Sequence, residues 1–163
     1  IEKGAKYKIS NCGMHAMDIM RMESGFLHWG HDISPEENQY EASLNFAISY
    51  KKNVDFIGKE ALLKIKAQKN FKQFVILSLK DSKPGEPLLL HDEPIYLEDK
   101  IIGRTTSGNY SFNYKKNVSF GYIKSESLIS ELANQNLFIE IEKTKYPVTL
   151  ETRPLKNKDF QSL

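Results

Sequence analysis

From residue 71 onward the apolar residues come in short runs separated by turn-forming clusters. That texture leaves few folds open. Residues 71–79, 94–97, 101–105, 118–123, 137–142 and 146–150 are rich in Val, Ile, Leu, Phe and Tyr and read as strands. Lys83-Pro84-Gly85-Glu86-Pro87 is a turn cluster, and Glu98-Asp99-Lys100 joins two of the runs as a hairpin. Residues 125–134 predict one short helix. Strands this short and this closely spaced predict a small antiparallel barrel or sandwich.

The first 70 residues have a different texture. Residues 13–22 predict a helix, because Met14, Met17 and Met20 repeat every three positions and Ala16 and Ile19 widen the stripe. Gly25 supplies the stop. Methionines at that spacing predict core packing. Left uncovered, the same stripe predicts self-association. Leu44, Phe46 and Ile48 alternate with polar or small residues, so residues 43–50 predict a strand. A second helix is expected over residues 59–69, with Ala61, Leu62 and Ile65 on one face and Glu60 and Lys64 paired at i, i+4. The class is therefore α+β, with a boundary near residue 70 dividing 1–69 from 70–163.

Composition narrows the function classes. Hydrophobic residues make up 40% of the chain and charged residues 27%, which favours a packed core over disorder. A net charge of +2 gives no electrostatic footprint for nucleic acid or an anionic membrane. No apolar run reaches transmembrane length. No signal-peptide pattern opens the chain, and because it starts at Ile1 rather than Met, a piece of something longer is expected. Cys12 is the one cysteine, so an internal disulfide is excluded and a reducing compartment fits best, cytoplasmic or, in a eukaryote, the mitochondrial matrix.

Few residue groups suggest chemistry. His28, His31 and Asp32 lie together but lack the separated second pair of a structural zinc site, so loop or pocket contacts are expected and no metal. Cys12 and His15 lack an orienting third group, and a small buried thiol is the simpler expectation. Thr105-Thr106-Ser107-Gly108 offers hydroxyls and N–H groups to an anion, or is a turn between strands. Glu23 stands out. It falls at the end of the predicted helix, where the partial negative charge of the last turn disfavours a carboxylate without a partner. Two partners are open to it. Arg21 would make a plain ion pair, while a planar two-nitrogen edge, such as the 2-amino-pyrimidinone of a pterin, would bond both oxygens. Phe26, Trp29 and the nearby Gly25 and Gly30 could form a flat apolar wall beside such a ring.

The run RMESGFLHWGHDIS, residues 21–34, with Glu41-Ala42-Ser43-Leu44 after it, resembles a signature of the glycine-cleavage T-protein (aminomethyltransferase) family. Asp55-Phe56-Ile57-Gly58-Lys59-Glu60-Ala61-Leu62 resembles its next landmark. Glu93-Pro94-Ile95-Tyr96, residues 102–111 (IGRTTSGNYS) and residues 116–123 (KNVSFGYI) resemble its C-terminal barrel. The wording is nearest the T-protein-like region of dimethylglycine and sarcosine dehydrogenases. The resemblance covers roughly the family's C-terminal half.

The resemblance implies that residues 1–69 are the last part of a folate-binding core and residues 70–163 a barrel domain. It implies tetrahydrofolate as cofactor and a small methylated or aminomethylated amine as donor of the one-carbon unit. Glu23 would be the pterin-binding carboxylate, with Phe26, Trp29 and Gly30 bordering the folate. Tyr96 stands where many T-proteins carry arginine and is carried over as a cofactor-binding position. Lys51 and Lys52 fall near a basic position of the family. The family's catalytic aspartate belongs to the N-terminal half, so no catalytic residue is assigned here, and activity of this stretch alone is not expected. FAD would belong to a further N-terminal dehydrogenase domain. The alternative function is a non-catalytic folate-binding or assembly module that pairs with a separately encoded N-terminal half, in trans rather than in cis.

Overall fold

The computed structural model describes residues 1–52, 54–68, 72–125 and 129–156. Its centre is a closed six-stranded antiparallel barrel: β1 (Gln73–Leu79), β2 (Pro94–Leu97), β3 (Lys100–Ser111), β4 (Lys116–Ile123), β5 (Leu137–Ile141) and β6 (Thr144–Glu151). The strands run round the barrel as β1-β4-β3-β2-β5-β6, and β6 closes on β1. Closure leaves no open sheet edge. Each predicted run from residue 72 on lies on one of these strands. The expected hairpin is present: β2 and β3 pair antiparallel across Glu98-Asp99, with Leu97 opposite Lys100. The helix expected over 125–134 is the short α3 (Ile129–Leu132); its first residues and Phe71 lie outside the described residues.

Two hydrophobic clusters share the barrel wall. Val75, Leu77 and Leu79 of β1 point inward and pack with Ile95, Ile139, Val148 and Leu150. Phe74 and Ile76, on the other face of β1, join Val118, Phe120 and Tyr122 of β4 under the helix α1 (Met14–Glu23). Both faces of β1 and β4 are thus covered, which is why these runs read as continuously apolar rather than alternating.

The N-terminal elements correct two expectations. Residues 43–50 form no strand: Asn45–Ala47 is a single 3-10 turn, Ser43 has a φ of 57°, and the backbone bonds are local, Leu44 N–H to Gln39 C=O and Ala47 N–H to Leu44 C=O. No neighbouring strand pairs with the alternation, and Phe46 is exposed. The methionine stripe is not core. Met14, Met17 and Met20 are exposed, whereas Ile19, Met22 and Glu23 face the barrel. A three-residue repeat defines a helix face without saying which face meets a partner. Helix α2 (Lys59–Ala67) is present, with Leu62 and Ile65 half-buried.

A polar tether ties the loop after α1 to β1. Glu37 accepts from Lys72 Nζ at 2.5 Å and from the N–H and hydroxyl of Ser34, both at 2.7 Å. Burial by itself would raise the Glu37 carboxyl. The bonds from Lys72 and Ser34 outweigh burial and hold it below the ordinary value of 4.5. A carboxylate lowered in this way adds stability above its unfolded pKa and loses it as pH falls through the folded value. The fold is expected to weaken as pH drops below 4.5. Lys72→Met should lose less over that window, which urea midpoints at about pH 6 and about pH 3.5 would measure.

Candidate functional site

Helix α1 ends in a tight cap. Gly25 N–H bonds Met22 C=O at 3.1 Å and Phe26 N–H bonds Arg21 C=O at 2.9 Å, with Gly25 at a φ of +76°. A side chain at Gly25 would also collide with Pro154, whose Cγ lies 2.5 Å from the Cβ position. The cap therefore fixes where the following loop leaves the helix, against the segment after β6.

Glu23 is the last residue of α1 and is 6% exposed. It is not paired with Arg21. Its Oε1 accepts from Ser111 Oγ at 2.5 Å and its Oε2 accepts from Asn113 Nδ2 at 3.0 Å. Ser111 closes β3 and Asn113 lies in the turn beyond, so the helix end is pinned to the barrel 88 residues away. These donors offset the unfavourable helix-end position. A carboxylate has about four acceptor sites, and two are used here.

Arg21 is taken up by a second carboxylate. Its guanidinium pairs with Asp32, donates from Nε to Asp18 at 2.8 Å and from Nη2 to Ser107 Oγ at 2.8 Å, and stands over the Phe120 ring at 5.5 Å. Asp32 is 1% exposed. Besides Arg21 it accepts from Thr106 Oγ1 at 2.6 Å, Ser107 Oγ at 2.7 Å and His28 N–H at 2.9 Å, while Tyr122 donates to its backbone C=O at 2.8 Å. Burial, then the nearby charges of Glu37, Asp32 and Glu41, push the Tyr122 phenol far above its ordinary value, so it stays a donor. Two successive hydroxyls reach one oxygen because the β3–β4 register slips between Thr105 and Ser107. In a regular strand they would point to opposite faces.

This overturns the turn reading of residues 105–108, which lie within β3. The anion that Thr106 and Ser107 hold is the chain's own Asp32. No local signal marks that pairing, since the partners are 74 and 75 residues apart. Cys12 is exposed and precedes α1, so the buried-thiol expectation is corrected too. His28 and His31 stack with ring centroids 4.7 Å apart. Among the described residues no group of His, Cys, Asp or Glu side chains is placed to hold a metal ion.

Of the five expected cofactor positions, four follow one another at the end of α1 and on the loop after it, but only Phe26 and Trp29 line the same cavity; Glu23 does not line it and Gly30 lines another. Phe26, Trp29 and Gly30 lie on the loop that follows Glu23. Gly30, at a φ of +89°, bonds Ile33 C=O through its N–H at 2.8 Å and makes the loop's turn. Phe26 and Trp29 are exposed and line a cavity of about 820 Å³ that begins at Ser24 and is floored by Phe74 and Ile76 of β1. Tyr96 stands apart. It lies opposite Ile101 near the start of β3, while Glu23 is bound at that strand's other end, Ser111. Its hydroxyl donates to Glu140 at 2.9 Å and Lys145 Nζ lies 4.2 Å from its ring centre. Lys51 and Lys52 are exposed.

Comparisons with known proteins bear on the family and the fold. The family description "Glycine cleavage T-protein C-terminal barrel domain" matches residues 72–156, and "GCVT N-terminal domain" matches residues 1–52. Dimethylglycine dehydrogenase, mitochondrial, of Rattus norvegicus is 35% identical over 153 residues, 93% of this chain and 17% of that protein. An aminomethyltransferase of Symbiobacterium thermophilum is 34% identical over 123 residues, 76% of this chain and 32% of that protein. The crystal structure of glycine cleavage system aminomethyltransferase T from Bartonella henselae superposes with a TM-score of 0.78 at 21% identity, over 93% of this chain and 41% of that one, which shows a shared fold. The chain thus spans between a sixth and about a third of these curated relatives. Among the described residues no helix is long and apolar enough to cross a membrane.

Proposed function

The chain belongs to the aminomethyltransferase-like glycine-cleavage T-protein family, and from that premise we propose that it supplies the C-terminal wall of a tetrahydrofolate site in a one-carbon transfer protein. The transfer runs from a methylated or aminomethylated amine to tetrahydrofolate. Residues 1–69 contribute the end of the folate-binding core and residues 70–163 the barrel that braces it. An N-terminal half, in cis or in trans, supplies the other wall and the catalytic group; FAD, where there is a dehydrogenase domain, stays with that domain.

The observation that carries this reading is the braced carboxylate at the end of α1, one residue before the loop that lines an apolar cavity. Ser111 and Asn113 occupy one acceptor position on each oxygen of Glu23. One position per oxygen is left, which is what a planar two-nitrogen edge needs. The cavity of about 820 Å³ starts at the next residue and lies within the usual range for small-molecule sites. Phe26 and Trp29 offer it flat apolar faces. The role of this chain is positioning, because a site that must hold two reactants in register needs both walls.

Assembly is part of the same reading. Met14, Met17, Met20, Phe46, Val54 and Ile57 are all exposed on the N-terminal segment. Exposed apolar side chains gathered on one segment fit an interaction face. It favours a chain that is completed by another unit over a free-standing enzyme.

Calorimetric titration of the full-length protein with 5-formyltetrahydrofolate tests the site. Glu23→Gln should weaken binding by about 1.5–3 kcal/mol, the range for hydrogen bonds to a charged group. Unchanged affinity would remove Glu23 from the site.

A further inference from the structure

We propose that Ser111 and Asn113 are positioning residues, and that the hairpin between β3 and β4 decides, through Glu23, which ligand edge is accepted. This rests on the role given to Glu23 above and adds what sets the orientation of its carboxylate.

β3 ends at Ser111 and β4 begins at Lys116, its partner in the register, so residues 112–115 form the hairpin loop. Lys115 closes the loop at a φ of 53°. Ser111 is fully buried, and its hydroxyl both accepts and donates. The oxygen accepts from Tyr114 N–H at 3.1 Å, so its proton points the other way, to Glu23 Oε1 at 2.5 Å. Asn113 Nδ2 reaches Glu23 Oε2 at 3.0 Å. The opposite amide orientation would set oxygen against oxygen. The carboxylate therefore meets one donor at each oxygen, and both donors come from one hairpin.

The last torsion of a glutamate side chain is broad, so a carboxylate held at one oxygen turns readily. Fixed donors at both oxygens set its plane. What the hairpin holds is an acceptor of defined orientation, only 6% exposed. A flat ligand edge meets both remaining positions when it lies in that plane and brings two N–H donors. An edge with a methyl group in place of one donor leaves a buried acceptor unpaired. Without the hairpin donors the carboxylate turns off the ligand plane, and the advantage of the two-donor edge shrinks.

The test is calorimetry on the full-length protein with two probes, 5-formyltetrahydrofolate and its analogue carrying methyl in place of the 2-amino group. The amino probe should bind about tenfold more tightly or better, the ratio that one charge-assisted hydrogen bond gives. Ser111→Ala and Asn113→Ala should each lower that ratio about threefold or more, by weakening the amino probe and leaving the methyl analogue where it was. Asn113→Asp, which sets an acceptor against Glu23, should lower it further. A purely structural brace would weaken both probes alike. That outcome, or a ratio unchanged in either alanine variant, would overturn the proposal. A ratio that collapses in Glu23→Gln yet survives in both alanine variants would sink it and leave the role of Glu23 standing. Equal binding of the two probes to the unaltered protein, or no binding of either, would sink both.

Discussion

Replacing Asp32 with alanine is expected to destabilise the chain by about 3–5 kcal/mol, the cost of removing one partner from a buried ion pair. Asp32 is 1% exposed and accepts from Arg21, Thr106, Ser107 and the His28 N–H. Truncation leaves the Arg21 guanidinium, 15% exposed and over the Phe120 ring, with the more exposed Asp18 as its remaining carboxylate, and it frees two hydroxyls that the β3 bulge had turned to one side. The loss should fall on docking as well as on stability. Arg21 belongs to α1 and Asp32 to the loop after it, while Ser107 belongs to the barrel, so this one carboxylate ties the three together. Urea unfolding followed by circular dichroism gives the stability change. Asp32→Asn keeps the shape and two acceptor positions and should cost less. Equal, small losses for both variants would show that the pair is not what holds α1 down.

Phe120→Ala is expected to cost a similar amount, about 3–5 kcal/mol, for a different reason. Phe120 is fully buried, and it packs edge-on to Phe74 with ring centroids 5.0 Å apart. It sits on the outer face of β4 in the cluster that includes Ile19, Met22 and Leu155. Removing its ring opens a void shared by the helix and the barrel wall, which neither can close alone. Leu77→Ala, inside the barrel, offers the comparison: Leu77 is fully buried in the other cluster. Both variants should lower the urea midpoint, but Phe120→Ala alone should raise amide exchange in α1. Unchanged exchange there would mean that the helix does not depend on this cluster.

Much of the barrel could be read from residue order because its signals are local. The β2–β3 hairpin follows from apolar runs on either side of Glu98-Asp99, and the runs of β4, β5 and β6 end in turn-forming residues. The misread elements lack local information of that kind. Residues 43–50 have the alternation of a strand, but no strand edge is free to pair with them once the barrel has closed. Met14, Met17 and Met20 mark a face of α1, yet the barrel takes the face of Ile19 and Met22 instead.

The site shows the same division. Glu23 attracts attention from sequence because a carboxylate at a helix end needs a partner. Its actual partners, Ser111 and Asn113, follow it by 88 and 90 residues, and nothing near Glu23 announces them. Asp32 lies beside His28 and His31 along the chain, whereas its side chain is spent on Arg21 and the β3 hydroxyls. Phe26 and Trp29 line one cavity because the Gly25 cap turns the loop back toward β1.

The most direct measurement is a crystal structure of the full-length protein with 5-formyltetrahydrofolate bound. The 2-amino-pyrimidinone edge of the ring is predicted to lie within about 3 Å of both Glu23 oxygens, with Ser111 and Asn113 still bonded to them. A bound ring elsewhere, with the Glu23 carboxylate touching Ser111 and Asn113 alone, would contradict the role assigned to it.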